Sequence, residues 1–208
     1  MSDRVSTGVP ALDRELDGGV PTGTIVAFLA EPASRSELFL ERLAAGRETL
    51  YLTVDRTPTA VSSTLRDRAG GADDLAVESI DGDAPTIDAL RSLSGLEDEG
   101  LLIVDPVGPL ERADPGEYRA VLSELRTIVS RTASVAVLHA LKHDDAPDQR
   151  HRTEHVADVV FDLLTAVDGG NVENRLLVPK FRDGRALTDP VRVTLTDRIA
   201  ADTSRDVA

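Results

Sequence analysis

The residues of this chain whose types and spacing could do chemistry fall in four places. The first is the loop Ala30-Glu31-Pro32-Ala33-Ser34-Arg35-Ser36-Glu37, between an apolar strand (Thr24 to Leu29) and an amphipathic helix (Arg35 to Ala45). A strand that runs through a glycine-rich loop into a helix start makes an anion cradle of backbone N–H groups. This loop has no glycine and no lysine, and it carries an acid where a phosphate would sit. Ser34 and Glu37 have instead the S-x-x-E spacing of a capping box, which satisfies the helix start from within. The second place is Asp105, which closes the continuous apolar run Leu101-Leu102-Ile103-Val104. In open α/β sheets ligands gather at the carboxyl ends of such strands. Asp55 ends a similar run, Thr49 to Val54, and is followed by Arg56, which is expected to neutralise it. The third is the set His139, His143, His151 and His155. His151 and His155 have the i, i+4 spacing of metal ligands on a helix, but four solvated histidines near a loop is the reading preferred, and no metal site is assigned. The fourth is Lys180-Phe181-Arg182. No acid-His-Ser or Cys-His order points to nucleophilic catalysis.

The elements that must position these residues alternate. Leu12 and Leu16 share one face of a short helix near the N-terminus. Thr57-Pro58 caps and opens a helix to about Ala69, which Gly70-Gly71 stops. Leu75 to Ile80 is a weaker strand, and Pro85 to Leu96 a helix. Asp114-Pro115-Gly116-Glu117 is an acid capping box ahead of a helix that buries Tyr118, Val121, Leu122, Leu125, Ile128 and Val129. Ala133 to Leu138 is a strand ending at His139. This alternation argues for a parallel sheet covered on both faces. Asp144 to Thr153 reads as a polar loop. Asp158 to Ala166, Asn174 to Phe181 and Pro190 to Thr196 then read as consecutive strands with a hairpin turn at Asp168-Gly169-Gly170-Asn171, an antiparallel extension on one sheet edge. One domain over residues 1–199 and a disordered tail at 200–208 are expected.

Composition narrows the function classes. The 208 residues carry 37 acids against 23 bases, a net charge of −14, and only two of the bases (Lys142 and Lys180) are lysine. A lysine-poor, acid-rich surface keeps a protein hydrated in concentrated salt, and in this the chain resembles haloarchaeal proteins. It offers no basic run for direct nucleic-acid binding. There is no apolar run of about 18 residues to span a membrane, no secretory signal and no cysteine. A cytoplasmic location is expected.

The stretch Ser6-Thr7-Gly8-Val9-Pro10-Ala11-Leu12-Asp13, followed by Gly18-Gly19-Val20-Pro21-Thr22-Gly23, resembles the opening segment of the KaiC/RadA group of RecA-fold ATPases nearly residue for residue. The order holds from about Val5 to Asp197. Tyr51 to Asp55 resembles the family's second strand with its water-activating acid, Leu101 to Asp105 its Walker B strand with the acid that helps place Mg²⁺, and Leu176 to Arg182 its late strand with a Lys-x-Arg pair. The resemblance implies a RecA-like P-loop NTPase fold, α/β, with a central, mostly parallel sheet flanked by helices.

It also locates the phosphate loop, Gly-x-x-x-x-Gly-Lys-Ser/Thr, whose fixed positions fall on Ala30, Arg35, Ser36 and Glu37. An arginine is not expected to supply the backbone curvature of a glycine. Ser36 removes the phosphate-binding cation and Glu37 the Mg²⁺ hydroxyl. Asp55 and Asp105 then read as vestigial acids. The implied protein is a pseudo-ATPase with no cofactor: a regulatory or scaffolding subunit, in signal transduction or as a recombination accessory that meets DNA only through a partner. Its partner would be a KaiC/RadA-like paralogue or further copies of itself. Lys180 and Arg182 are candidates for donation in trans to a partner's site, against the simpler reading of a strand-end salt bridge. The alternative is a divergent ATPase that binds ATP and Mg²⁺ weakly, with Arg35 in place of the lysine.

Overall fold

The computed structural model describes residues 3–69, 75–143, 145–168, 171–182, 184, 186–195 and 199–201. In chain order the strands are Arg4–Val5 (β1), Val20–Pro21 (β2), Thr24–Ala30 (β3), Thr49–Thr53 (β4), Leu75–Ser79 (β5), Leu101–Asp105 (β6), Val135–Leu141 (β7), Val159–Asp168 (β8), Asn171–Phe181 (β9), Val191–Leu195 (β10) and Ile199–Ala201 (β11). The helices are Pro10–Glu15 (α1), Glu37–Ala44 (α2), Pro58–Ala69 (α3), Pro85–Ser92 (α4), Gly108–Glu111 (α5), Pro115–Thr132 (α6) and Arg150–Val156 (α7). Nine strands form one sheet in the order β11-β10-β9-β8-β3-β7-β6-β4-β5. From β5 to β8 neighbouring strands pair in parallel, and from β8 outward to β11 they pair antiparallel. The expected extension on one edge is therefore present. The gap between Asp168 and Asn171, where the hairpin turn was expected, lies outside the described residues, as do Gly70 and Gly71.

The central strands are apolar throughout because both sheet faces are covered. Alternate residues separate into two cores. Phe28, Tyr51, Ile103 and Val137 pack with α2 and α3 on one face. Ile25, Leu50, Leu102, Val104 and Leu138 pack with α4, α5 and α6 on the other. The longest helix, α6, is closed at its start by Asp114, whose carboxylate accepts from Gly116 N–H (2.8 Å) and Glu117 N–H (3.2 Å). Proline at its first position fits that geometry. In the turn before β2, Gly19 sits at φ +121° with the site of a Cβ only 2.2 Å from the Val5 carbonyl oxygen, so no side chain fits there.

Four local expectations are corrected. Residues 150–156 are helical rather than looped, because Arg150 and Thr153 bury their polar groups against Glu111 of α5; a tertiary contact overrides a weak local signal. β7 runs on to Leu141, so His139 lies inside the strand. β11 takes in Ala200 and Ala201, which the sequence assigned to the tail, through pairing with β10. Finally, α2 begins at Glu37 without a capping box.

Candidate functional site

The loop between β3 and α2 is built differently from its sequence expectation. Ser34 turns back on the loop: its hydroxyl donates to the Glu31 carbonyl (2.5 Å) and its N–H donates to the same oxygen (3.0 Å). It is therefore not paired with Glu37. The residue before the helix is Ser36, already in helical conformation (φ −57°, ψ −24°), and no side chain caps the helix start. Arg35 takes φ +56°, a left-handed conformation that favours glycine, with its side chain exposed. The expectation that an arginine could not supply that curvature is overturned. The conformation costs an L-residue of order 1 kcal/mol, which a packed loop can absorb.

The Ser36 side chain points into the protein. Strand parity decides what it meets: Asp105 shares its face with Ile103 and His139 with Val137, the face covered by α2. The parallel pairing of β6 and β7, Val104 opposite Leu138, sets Asp105 beside His139. The His139 Nδ1–H donates to Asp105 Oδ1 (2.6 Å), and its Nε2 lies 2.9 Å from Ser36 Oγ. A carboxylate only accepts, so Nδ1 carries a proton, and in the tautomer whose Nε2 is bare that nitrogen accepts the serine hydroxyl. The ring stacks on Phe28 with centroids 5.4 Å apart.

The other carboxylate oxygen is also engaged. The Tyr51 hydroxyl donates to Asp105 Oδ2, and Arg56 Nη2 donates to both Asp105 Oδ2 (3.0 Å) and the Tyr51 oxygen (2.9 Å). Burial is the largest single influence and pushes the Asp105 carboxyl up, but the hydrogen bond and charge of His139, the Tyr51 hydrogen bond and the Arg56 charge together outweigh it and hold the group below its ordinary value. Burial and the neighbouring Asp105 charge drive the Tyr51 phenol well above its usual range.

Ser36, His139 and Asp105 thus have the relative placement that activates a hydroxyl for acyl transfer, an arrangement their sequence order hid. Here it is closed. Ser36 is 3% and His139 4% exposed, and Phe28 covers the ring, so no face is open for a substrate. Nor do these residues fit Mg²⁺ and a nucleotide. Ser36 has its hydroxyl beside an imidazole, and both oxygens of Asp105 belong to protein donors. A phosphate brought there would find one cation in the loop, the exposed Arg35, and none at positions 30, 34, 36 and 37.

The remaining candidates are dispersed. Asp55 is exposed on the rim of an open cavity of about 690 Å³, whose charged lining is Asp83, Asp114 and Glu117 with the base Arg112, a net acidic surrounding. Arg56 does not neutralise Asp55, since its guanidinium is turned to Asp105. His143 and His151 each approach a nearby backbone carbonyl, of Asp145 and Asp148, and among the described residues no group of three metal-ligating side chains forms. The Lys180 amine donates to the carbonyls of Glu154 and His155 (both 2.8 Å), closing the end of α7. Arg182 pairs with Asp158 (3.2 Å), a buried carboxylate that Arg126 also grips (2.5 Å) and that accepts the Ile25 N–H (2.9 Å). Burial, then Arg182, lowers the Lys180 pKa despite Asp158.

A second buried polar cluster ties α5, α6 and α7 together. Glu111 accepts Arg150 through Nε (2.8 and 3.0 Å) and Nη2 (2.8 Å), and the Thr153 hydroxyl (2.5 Å); Tyr118 reaches Thr153 (2.7 Å). Sequence reasoning missed Tyr51 and Arg56 as partners of Asp105, and His139 as the link to Ser36. Strand parity was the available signal: Ile103/Asp105 and Val137/His139 place both polar residues on α2's side.

Residues 4–208 match the model of a family described as "Family of unknown function (DUF7125)". No curated protein matches the chain. Among solved structures, the KaiC-like protein PH0186 from the hyperthermophilic archaeon Pyrococcus horikoshii OT3 is similar with a TM-score of 0.77 at 16% identity, covering 97% of this chain and 100% of that one. At that identity the likeness is one of fold: α/β, KaiC-like and RecA-like, with a mostly parallel sheet.

Proposed function

We propose that this chain, which belongs to the family of unknown function DUF7125, is a KaiC-like subunit that has given up nucleotide chemistry and acts as a regulatory or scaffolding component. One observation carries the reading. The acid at the end of β6, Asp105, is held on both oxygens by His139, Tyr51 and Arg56, and His139 is joined to Ser36 at the lysine position. Side chains of the protein occupy the bonds that a bound metal and phosphate would need. The subunit's role then lies in what it associates with: a KaiC/RadA-like paralogue or further copies of itself.

Donation of Lys180 and Arg182 in trans belongs to the same reading. It requires both to leave their bonds to the α7 carbonyls and Asp158. Replacing both with Ala and measuring a partner's ATPase rate in a reconstituted mixture tests it, and an unchanged rate removes it.

The central proposal is tested by titrating labelled ATP with Mg²⁺ onto the chain at high salt. No saturation below millimolar is expected. A micromolar Kd, about 8 kcal/mol of binding, would refute it and favour a divergent ATPase in which Arg35, holding the glycine's conformation, supplies the missing cation.

A further inference from the structure

On the sheet face opposite α2, the outer surfaces of α6 and α7 leave a groove of about 390 Å³ lined by Arg119, Leu122, Ser123, Arg126, Arg152, His155, Val156 and Arg182. Residues 119, 122, 123 and 126 follow the i, i+3, i+4, i+7 spacing of one helix face and make one wall. Arg152, His155 and Val156 of α7 make the other, and Arg182 closes the end.

Four arginines line this groove in a chain that carries 37 acids and 23 bases. Asp158 serves two of them, Arg126 and Arg182. Arg119 makes no side-chain hydrogen bond or ion pair among the described residues, and Arg152 is held through Nε only by the neutral amide of Gln149 (2.9 Å). Two arginines of the same groove are thus without a carboxylate among the described residues. The floor is apolar, supplied by buried Leu122 and half-buried Val156. The volume falls within the usual range for small-molecule sites, roughly 300–1,000 Å³.

We propose that the α6–α7 groove binds a small organic anion consisting of a phosphoryl group on a compact apolar body. The guanidinium fork matches phosphate oxygens in pairs, and Arg119 and Arg152, neither holding a carboxylate, can each offer a fork to a dianion. The Ser123 hydroxyl adds a donor, and Leu122 and Val156 cover the apolar part. Burial chiefly lowers the pKa of nearby Lys180, and the charges of Arg182 and Arg126 add to that while Asp158 opposes it. The site shares no residue with the Ser36–His139–Asp105 chain, so its success or failure is independent of the Mg²⁺-ATP result.

Phenyl phosphate is the probe, titrated by calorimetry at low salt, where screening is weak, with phenol, inorganic phosphate and a tetraglutamate peptide as separate arms. One phenyl phosphate per chain at a millimolar or tighter Kd is expected, with phenol silent and inorganic phosphate weaker. The double variant R119A/R152A should weaken binding at least tenfold while its circular dichroism stays unchanged, since neither side chain holds another element. R119K/R152K, which keeps charge but loses the fork, should fall between. The proposal is overturned if phenyl phosphate fails to saturate in the millimolar range or if the double Ala variant binds it undiminished. It is also overturned if inorganic phosphate binds equally well, or if tetraglutamate binds more tightly, which would make the groove a protein-docking surface.

Discussion

Replacing His139 with Phe isolates the hydrogen-bonded chain from the packing around it. The ring volume and the stack on Phe28 are kept, while the bonds to Asp105 Oδ1 and Ser36 Oγ are lost. Each partner is buried, and leaving a buried polar group unsatisfied costs about 1–3 kcal/mol. Asp105 retains Tyr51 and Arg56, which limits its share. H139F should therefore cost about 2–4 kcal/mol, a large part of the 5–15 kcal/mol that holds a typical domain. S36A removes one bond and should cost about 1–2 kcal/mol. If the chain acts as a unit, the double variant will cost less than the sum by about 1 kcal/mol, because the second substitution removes a bond already broken. Urea unfolding followed by circular dichroism measures all three, and an unchanged m-value keeps the comparison valid. Additivity within about 0.3 kcal/mol would show that Ser36 and His139 are energetically separate. The account of the closed site would then fail.

Glu111→Ala should cost about 3–5 kcal/mol in the same assay, because it strands the Arg150 guanidinium in a buried position; the paired E111M/R150M variant should recover much of that loss. The pH dependence follows from Asp105. Its folded pKa is lowered, so its contribution is complete above the unfolded value, about 4, and is lost as the pH falls through the folded one. Wild type should lose stability more steeply than D105N on acidification below about pH 4, as read by unfolding midpoints, and parallel curves would contradict this. The net charge of −14 predicts that added KCl raises the thermal midpoint steadily through the molar range by screening self-repulsion. A flat or falling response in a thermal scan would reject the salt adaptation inferred from composition.

Much of the fold follows from sequence alone. Apolar runs such as Leu101 to Val104 have one stable setting, a strand buried on both faces, and proline with an acid cap starts α6 wherever the helix packs. These are local rules, and the alternation they generate implies the parallel sheet with its antiparallel edge. That no lysine stands between β3 and α2 is equally local, since a side chain that is missing stays missing in any fold. The rest depended on distance in space. Residues 150–156 become α7 only because Glu111, far along the chain, supplies the partner for Arg150. Arg35 takes a left-handed conformation, φ +56°, that its residue type does not favour. Ser36, Asp105 and His139 have unremarkable neighbours in sequence, and only the register of β6 on β7, with α2 laid across that face, joins them. Composition spoke against a basic face, yet a net charge is a sum, and only the packing of α6 against α7 collected Arg119, Arg126, Arg152 and Arg182 into one groove.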